Sequence, residues 1–320
     1  MITHSCKEIG GYFSIDIRSG GIFPEDVIPL NIARNCLRYV IRVNNIKKIW
    51  VPYYTCPVVW ESIKKEDCEM NFYHINKSFL PQIKFGENDF ILYTNYFGIC
   101  ANNVKLLAKK YKNLIVDNAQ AYYMPHNGLA SFNSARKFFG VPDGAFLYSK
   151  KRLKYEFEID KSSVDRFSHL LKRIDTDASF GYEDFRNNDE ALRFEDIKLM
   201  SNITKALIKG HDIETEKQKR LENFNYLHSK LKGINELIIE LDEDDIPMIY
   251  PLFIKKDGLR DKLIKNKIYV AKYWDGIQEN IEEQELLNYL LPLPIDQRYN
   301  VDDMEYMAQL ILNKIGELNK

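Results

Sequence analysis

The sequence has almost no net charge, because 45 basic residues are nearly cancelled by 46 acidic ones and the formal charge is −1. Such a chain has no extended basic field to attract nucleic acid or an anionic membrane, so an anionic ligand must be held by a local site. No apolar run reaches the ~18 residues that a membrane span needs. Residues 1–21 contain no apolar core of the kind found in secretory signals. We therefore expect a cytoplasmic protein with neither nucleic acid nor a membrane as a partner.

Cysteine and histidine are also scarce. The five cysteines are scattered without a CxxC pair, which favours reduced thiols over a disulfide framework. The six histidines are dispersed and no HxxxH occurs, so a metal site has little support. No GxGxxG motif follows an early strand, which disfavours a dinucleotide-binding oxidoreductase.

What remains is a globular composition. Apolar residues make up 45% and charged residues 28% of 320 residues, a length that favours two domains. The first half alternates apolar, β-rich runs with helical patterns, beginning with a helix over residues 32–43 that Asn31 can cap. Strands are predicted at KIWVPYY, EMNFYHI, DFILYTN, NLIVD, GLASFN and GAFLYSK, and further helices at VVWESIKKE and ANNVKLLAKKYK. This alternation is typical of an α/β domain with a mostly parallel sheet, whose ligands lie beyond the carboxyl ends of the strands.

The second half has a different character. Residues 164–231 are mainly helical, and the charged stretch 211–231 is predicted to be an exposed, solvated helix. The tail then shows strands at ELIIEL, MIYPLFI and KIYVAKY and helices at GLRDKLIKN and VDDMEYMAQLILNKI. We therefore divide the chain into a large domain, 1–205, and a smaller α+β domain, 206–320.

The segment 113–150 contains the residues best suited to chemistry. Asp117 ends an apolar strand, where a carboxylate is desolvated unless it meets a cation. Lys137 follows 20 positions later, in the loop after another strand. The two side chains could form a structural ion pair. Alternatively, the carboxylate could serve the ring nitrogen of pyridoxal phosphate (PLP) while the lysine amine forms the Schiff base with that cofactor.

Several segments resemble one known family in the order of its motifs. DNAQA (117–121) is similar to a DxAQA motif, and PDGA (142–145), which follows Lys137, is similar to a GEGG or GDGG turn. YTNYFG, WVPYYTCPVV and LLPLPIDQRYNVDDMEYMAQLI resemble VHLYG, VPAxTxxA and LPLHP segments. These motifs belong to the DegT/DnrJ/EryC1/StrS sugar aminotransferases, which are PLP enzymes of fold type I. The resemblance extends over nearly the whole chain.

The resemblance implies a role for each residue near Asp117. Lys137 would hold PLP covalently and move a proton as general acid and base, Asp117 would pair with the ring nitrogen, and Gln120 would reach the ring oxygen. Without the resemblance, Gln120 would cap a local helix and Lys137 would be a surface lysine, although Phe138 and Phe139 make that role less expected.

Other site residues are also implied by position in the family. Ala33 and Arg34 occupy the place of the phosphate-binding turn, with Ser134 and Ser131 as hydroxyl donors; Arg34 could instead be an ordinary exposed helix residue. Cys56, or in its place Tyr54, matches the aromatic residue that stacks on the ring. The substrate candidates are cationic or aromatic residues suited to a nucleotide diphosphate, namely Arg136, Lys272, Tyr273 and Trp274. Tyr273 and Trp274 could equally be core residues.

The sequence departs from the family in three places. Ala33–Arg34 replaces a glycine-threonine turn, PDGA replaces GDGG, and IKLM (197–200) replaces NYRM, whose asparagine reaches the cofactor of the neighbouring subunit. Asn187 or Asn188 could substitute for that asparagine. Lys137 argues against the dehydratase members of the family, which have histidine there.

We therefore expect a homodimeric PLP aminotransferase that transfers an amino group from glutamate to a nucleotide-linked keto sugar for surface polysaccharide. Two alternatives stay open. A non-catalytic relative acting as a binding or scaffold protein is favoured by the altered phosphate turn and opposed by the joint presence of Asp117, Gln120 and Lys137. A PLP enzyme acting on an amino acid or a small keto compound is the other.

Overall fold

The computed structural model describes residues 14–21, 23–274 and 280–318. Residues 1–13, on which part of the expectation about a secretory signal rests, lie outside these ranges, as does Cys6. None of the helices within these ranges is long and apolar enough to cross a membrane.

A seven-stranded sheet forms the first half of the chain. Its strands are β1 Ile28–Leu30, β2 Lys48–Pro52, β3 Glu69–Tyr73, β4 Ile91–Thr94, β5 Leu114–Asn118, β6 Ala130–Asn133 and β7 Ala145–Ser149. They lie in the order β1-β7-β6-β5-β4-β2-β3. Strands β2 to β6 pair in parallel, and β7 is antiparallel to both of its neighbours. The predicted strands and the mostly parallel sheet are therefore confirmed, while β1 was not predicted.

The helices of this half are α1 Ala33–Asn44, α2 Pro57–Lys64 and α3 Ala101–Lys110, all close to their predicted positions. The predicted cap of α1 is wrong, since Ile32 is the N-cap and Asn31 precedes it. The Asn31 side chain instead bonds to two backbone groups. Its Oδ1 accepts from the Ile32 N–H at 3.1 Å, and its Nδ2 donates to the Asp196 carbonyl at 3.0 Å.

The second half is mainly helical, as predicted. It contains α4 Ser168–Asp175, α5 Tyr182–Arg193, α6 Asn202–Ile208, α7 Ile213–Leu231, α8 Leu259–Lys265, α9 Ile281–Tyr289 and α10 Val301–Leu318. A two-stranded antiparallel sheet joins β8 Ile249–Phe253 to β9 Leu290–Pro294. Of the three predicted tail strands only MIYPLFI is confirmed. ELIIEL and KIYVAKY alternate buried and exposed residues, with Ile238 92% exposed, but neither is part of a sheet ladder.

Two apolar clusters cover the two faces of the large sheet. The smaller packs α1 and α2 on one face and includes Leu37, Val40 and Ile115. The larger covers the opposite face and continues into the second half, so that Met200 and Phe224 share one cluster. The proposed domain boundary at 205/206 falls within α6, and the division into 1–205 and 206–320 stays a prediction.

Candidate active site

Asp117 lies at the carboxyl end of β5, where its register partner on β4 is Thr94. Its side chain is buried, and Oδ1 accepts a hydrogen bond from the Ala119 N–H at 2.8 Å. Burial raises the pKa of this carboxyl, and the nearby charge of Lys137 opposes the shift. The structure thus brings together the two residues that the sequence singled out, without a salt bridge between them within the described chain.

Lys137 is presented by a short 3₁₀ turn, Ala135–Lys137, that follows β6. The turn is closed by a hydrogen bond from the Phe138 N–H to the Ala135 carbonyl at 3.0 Å. The neighbours Ala135 and Phe138 are buried, whereas Lys137 is exposed. Lys137 is therefore accessible to a ligand, and its charge is close enough to the buried Asp117 carboxyl to lower the pKa of that group.

The PDGA turn connects the Lys137 turn to Asn31, the residue before the N-cap of α1. Gly144 accepts from the Ala135 N–H at 3.0 Å and donates to the Asn31 carbonyl at 2.5 Å. It has φ +116°, and a Cβ there would lie 2.9 Å from Cγ2 of Thr204, so a side chain would be strained and crowded. The preceding Asp143 is fully buried and accepts from Ser201 N at 2.9 Å, from Ser201 Oγ at 2.7 Å and from Thr204 Oγ1.

Gln120 lies three residues after Asp117 and is 2% exposed. Its Oε1 accepts from the Phe97 N–H at 3.0 Å, but its Nε2 is buried and has no partner within the described structure. A buried amide donor without an acceptor is costly unless a ligand supplies one. No helix begins at Gln120, so the alternative role as a helix cap is wrong.

The turn that binds Gln120 is itself strained. Phe97 has φ +58°, a conformation that bulky residues rarely adopt. At the next position, Gly98, a Cβ would lie 2.7 Å from the Ile246 carbonyl oxygen and 3.0 Å from that of Gln120. The turn Tyr96–Gly98 is therefore held tightly between Gln120 and the second half of the chain.

Arg34 is the second residue of α1 and is half-buried rather than exposed. Burial lowers the pKa of its guanidinium, and the charge of Arg136 lowers it further. The nearby carboxylates are bonded to other cations: Glu61 to Arg193 at 2.5 Å, and Asp189 to Arg136 at 2.7 Å. Arg34 has no salt bridge or hydrogen bond to any described residue. An uncompensated cation at a helix N-terminus is well suited to an anion such as phosphate.

The residues predicted to contact the phosphate or the cofactor ring differ in how available their side chains are. Ser134 is buried just before the Lys137 turn, but Ser131 Oγ is bonded to Nδ1 of His126 at 2.8 Å and is engaged there. Cys56 is half-buried and lies close enough to Arg34 to influence the pKa of the guanidinium. Tyr54 is fully buried in the core.

The predicted substrate residues fall into two regions. Arg136 lies beside Arg34, as described above. The Tyr273 ring lies 5.9 Å from Phe97, and the Trp274 ring lies 4.7 Å from Tyr54 in an edge-on contact. Both are therefore partly buried core residues next to the turn that binds Gln120, whereas Lys272 is exposed.

Neither candidate asparagine on α5 is shown to reach another subunit. Asn188 is 4% exposed, and its Nδ2 donates to the Pro142 carbonyl of its own chain at 3.3 Å. Asn187 is exposed. Asn188 therefore supports the turn that precedes Gly144, and a contact across subunits stays a prediction for Asn187.

Comparison with known proteins identifies the fold. No protein-family model and no curated protein sequence matches the chain. Among solved structures, a DegT DnrJ EryC1 StrS aminotransferase from Brucella abortus superposes with a TM-score of 0.61 at 15% identity, covering 90% of this chain and 85% of that one. This chain has the fold of those aminotransferases.

Two further structures agree. The sugar aminotransferase CalS13 from Micromonospora echinospora gives a TM-score of 0.63 at 13% identity, covering 89% of this chain and 86% of its own. NtdA from Bacillus subtilis, solved with bound cofactor PMP, gives 0.64 at 12% identity, covering 90% and 72%. The predicted α/β fold of type I is thus confirmed.

Sequence reasoning missed one residue within this aminotransferase fold. Arg220 was assigned to a solvated helix, yet it is 1% exposed and its guanidinium carbon lies 4.6 Å from the ring centroid of Phe138. A signal was present, because Arg220 shares the helical spacing of the buried residues Phe224, Leu227 and Leu231. The prediction of a solvated α7 is therefore wrong for this face.

Proposed function

We propose that this protein is a PLP-dependent aminotransferase. The observation that carries the proposal is the arrangement of Asp117, Lys137 and Gln120 at the carboxyl end of the parallel sheet. A buried carboxylate lies close enough to an exposed lysine for the lysine charge to affect its pKa, and three residues further along the chain a buried amide donor has no partner in the described structure. A structural ion pair needs only the first two residues and leaves Gln120 Nε2 unexplained.

The residues present fit the chemical groups of PLP. The Asp117 carboxylate would hold the proton on the ring nitrogen, and Gln120 Nε2 would donate to the ring oxygen. Arg34, the N–H groups at the start of α1 and the Ser134 hydroxyl would hold the phosphate. Tyr54 and Cys56 stay candidates for the ring-stacking contact, although the burial of Tyr54 favours Cys56.

The chemical work is shared between cofactor and protein. When bound, PLP supplies an electron sink for negative charge that develops on the carbon next to the amine nitrogen. Lys137 Nζ takes up and returns the substrate proton as general base and acid. Asp117 keeps the ring nitrogen protonated, which its burial favours because an unpaired carboxylate there is poorly solvated.

For the substrate, we propose glutamate as amino donor and a nucleotide-linked keto sugar as acceptor, in surface polysaccharide synthesis. Support comes from CalS13, a sugar aminotransferase of the same fold, and from the cationic and aromatic residues Arg136, Lys272, Tyr273 and Trp274. We further propose a cytoplasmic homodimer, which sedimentation analysis of the purified chain would test.

Absorbance spectroscopy tests the function. Purified protein mixed with PLP should show the yellow band of a lysine-bound cofactor, and glutamate should bleach it. The variant Lys137→Ala should lack the band, whereas Lys151→Ala, which removes another exposed lysine, should keep it. After borohydride reduction, mass spectrometry should locate the adduct on Lys137.

The same experiment decides between the alternatives. A colourless wild-type protein without an adduct on Lys137 would rule out the enzyme and favour a binding or scaffold protein, the candidate suggested by the Ala33–Arg34 substitution. A yellow protein that glutamate bleaches, but that aminates only small keto compounds, would leave a PLP enzyme of different specificity. Product analysis with nucleotide-linked keto sugars separates these two enzymes.

A further inference from the structure

Arg220 is an unusually buried cation behind the Lys137 turn. It lies in the middle of α7 with 1% of its surface exposed, and its Nε has no partner among the described residues. Burial lowers the pKa of its guanidinium, and Tyr123, Asp296 and Glu216 oppose the shift. The two carboxylates among them are bonded to other cationic or imidazole groups, Asp296 to Arg298 at 2.7 Å and Glu216 to His211 at 2.6 Å. Burying a guanidinium without a paired carboxylate is unfavourable, so its remaining contacts must compensate.

One contact leads to Lys137. The Arg220 guanidinium lies over the ring of Phe138, the residue after Lys137, at 4.6 Å from the ring centroid. Such a contact is favourable, more so when both groups are desolvated. The Phe138 carbonyl also accepts from Gln297 Nε2 at 2.8 Å. Ring and carbonyl are thus held from the second half of the chain, which restricts rotation of the Lys137 turn.

A second contact leads to Gln120. Arg220 Nη1 donates to the Met248 carbonyl at 3.2 Å, and the Met248 N–H donates to the Phe97 carbonyl at 2.8 Å. The Phe97 N–H in turn donates to Gln120 Oε1 at 3.0 Å. Because the Phe97 turn is crowded on both sides, it has little freedom to adjust if the Met248 segment moves.

We propose that Arg220 is a positioning residue of the active site, which holds the Lys137 turn and the Gln120 amide in one fixed relation through Phe138 and Met248. The role rests on the proposed function for its chemical meaning. Arg220 acts on the Lys137 turn through Phe138 and on Gln120 through Met248, and it needs no contact with substrate or cofactor.

The test compares full-length variants with and without PLP. Arg220→Met keeps the length and volume of the side chain but removes the charge and the donors. Arg220→Lys keeps a cation able to contact the Phe138 ring and donate to Met248. Arg166→Met is the control, because Arg166 is also buried, at 9% exposure, but is bonded to Asp160 at 2.9 Å and Glu195 at 2.7 Å.

Two readouts separate positioning from general stability. The first is the rate at which an acylating reagent modifies Lys137 Nζ in cofactor-free protein, measured by peptide mass spectrometry. The second is the dissociation constant of PLP together with its visible circular dichroism. Arg220→Met should change the acylation rate about threefold or more and weaken PLP about tenfold, equivalent to ~1.4 kcal/mol. Arg220→Lys should restore both to within about threefold of wild type, and Arg166→Met should leave the acylation rate unchanged.

The proposal is overturned if Arg220→Met reacts and binds as the wild type does, or if Arg166→Met changes Lys137 equally. If wild-type protein does not attach PLP, the proposed function fails, while the acylation rates still decide the role of Arg220. If Arg220→Met does not fold, Phe138→Leu removes the ring contact and leaves Arg220 in place. An unchanged Lys137 acylation rate in Phe138→Leu would then refute the proposal.

Discussion

Substituting Asp117 by Asn should make the cofactor-free protein more stable at neutral pH. The carboxylate is 6% exposed, with one hydrogen bond from Ala119 N at 2.8 Å and no salt bridge to a described residue. An incompletely compensated buried polar group costs about 1–3 kcal/mol, and more if charged; the Lys137 charge offsets part of this cost. Asn keeps the bond from Ala119, so a net gain of about 1 kcal/mol is expected, or roughly 2–4 °C in Tm.

The gain should depend on pH. Burial raises the pKa of Asp117 in the folded state above its ordinary value of 3.8. Below pH 3.8 the carboxyl is therefore protonated in both the folded and the unfolded protein, and folding does not bury a charge there. The stability of the wild type relative to Asp117→Asn is lost as the pH rises through the folded-state pKa. Thermal unfolding from about pH 4 to about pH 8 should therefore show that the Tm of Asp117→Asn exceeds that of the wild type by an amount that increases with pH.

Two further comparisons make the reasoning refutable. PLP should raise the Tm of the wild type more than that of Asp117→Asn, because the ring nitrogen compensates only the carboxylate. Asp143→Asn is the matched control, since Asp143 is also buried but accepts bonds from Ser201 and Thr204, and this variant should lose stability at neutral pH. A pH-independent effect of Asp117→Asn, or a loss of stability at neutral pH, would falsify the assignment of Asp117 as a carboxylate awaiting a cation.

Two other substitutions test the remaining parts of the site. Gly144→Ala should lower the free energy of unfolding by about 2–4 kcal/mol in chemical denaturation, because its φ of +116° is strained for alanine and the Cβ would lie 2.9 Å from Thr204 Cγ2; an unchanged midpoint would contradict this. Arg34→Gln should weaken PLP binding by more than tenfold, since a charge-assisted hydrogen bond contributes about 1.5–3 kcal/mol. Inorganic phosphate should also raise the Tm of the wild type, and Arg34→Gln should abolish this rise, whereas Arg173→Gln, at an exposed position, should not.

The elements that the sequence predicted well have their information in neighbouring residues. β5 begins with the apolar run Leu114–Val116, which Asp117 follows directly, and this pattern predicts both the strand and a carboxylate near its carboxyl end. ELIIEL and KIYVAKY have the same local pattern as strands, but within the described residues neither forms a ladder with another segment; ELIIEL makes a single backbone–backbone hydrogen bond, from the Glu236 N–H to the Phe253 carbonyl at 2.9 Å. Whether an alternating segment becomes a strand depends on its partner, and the partner is set by the tertiary fold.

In the candidate site, too, some features could be predicted from neighbouring residues and others depend on the tertiary fold. Asp117, Gln120 and Lys137 were predicted from motifs, whereas their relation to α7 was not, because Arg220 meets Phe138 across 82 positions of sequence. A buried arginine has no distinctive local pattern, since its neighbours in α7 are charged and its burial is decided by the element packed against it. Only its spacing from Phe224 and Leu227 indicates the buried face.

The departures from the family motifs make physical sense in this fold. In the PDGA turn the glycine that remains is Gly144, whose positive φ and lack of space for a Cβ exclude any other residue without strain. The following Ala145 begins β7 opposite Leu30, in an ordinary strand conformation that accepts a side chain. At the position that the resemblance assigns to the phosphate turn, threonine is replaced by Arg34, whose guanidinium has no salt bridge to a described residue and is a stronger anion ligand than a hydroxyl. The divergent residues thus omit a glycine that the backbone does not require and replace a lost hydroxyl donor by a charged one, which is consistent with the proposed binding of a phosphate.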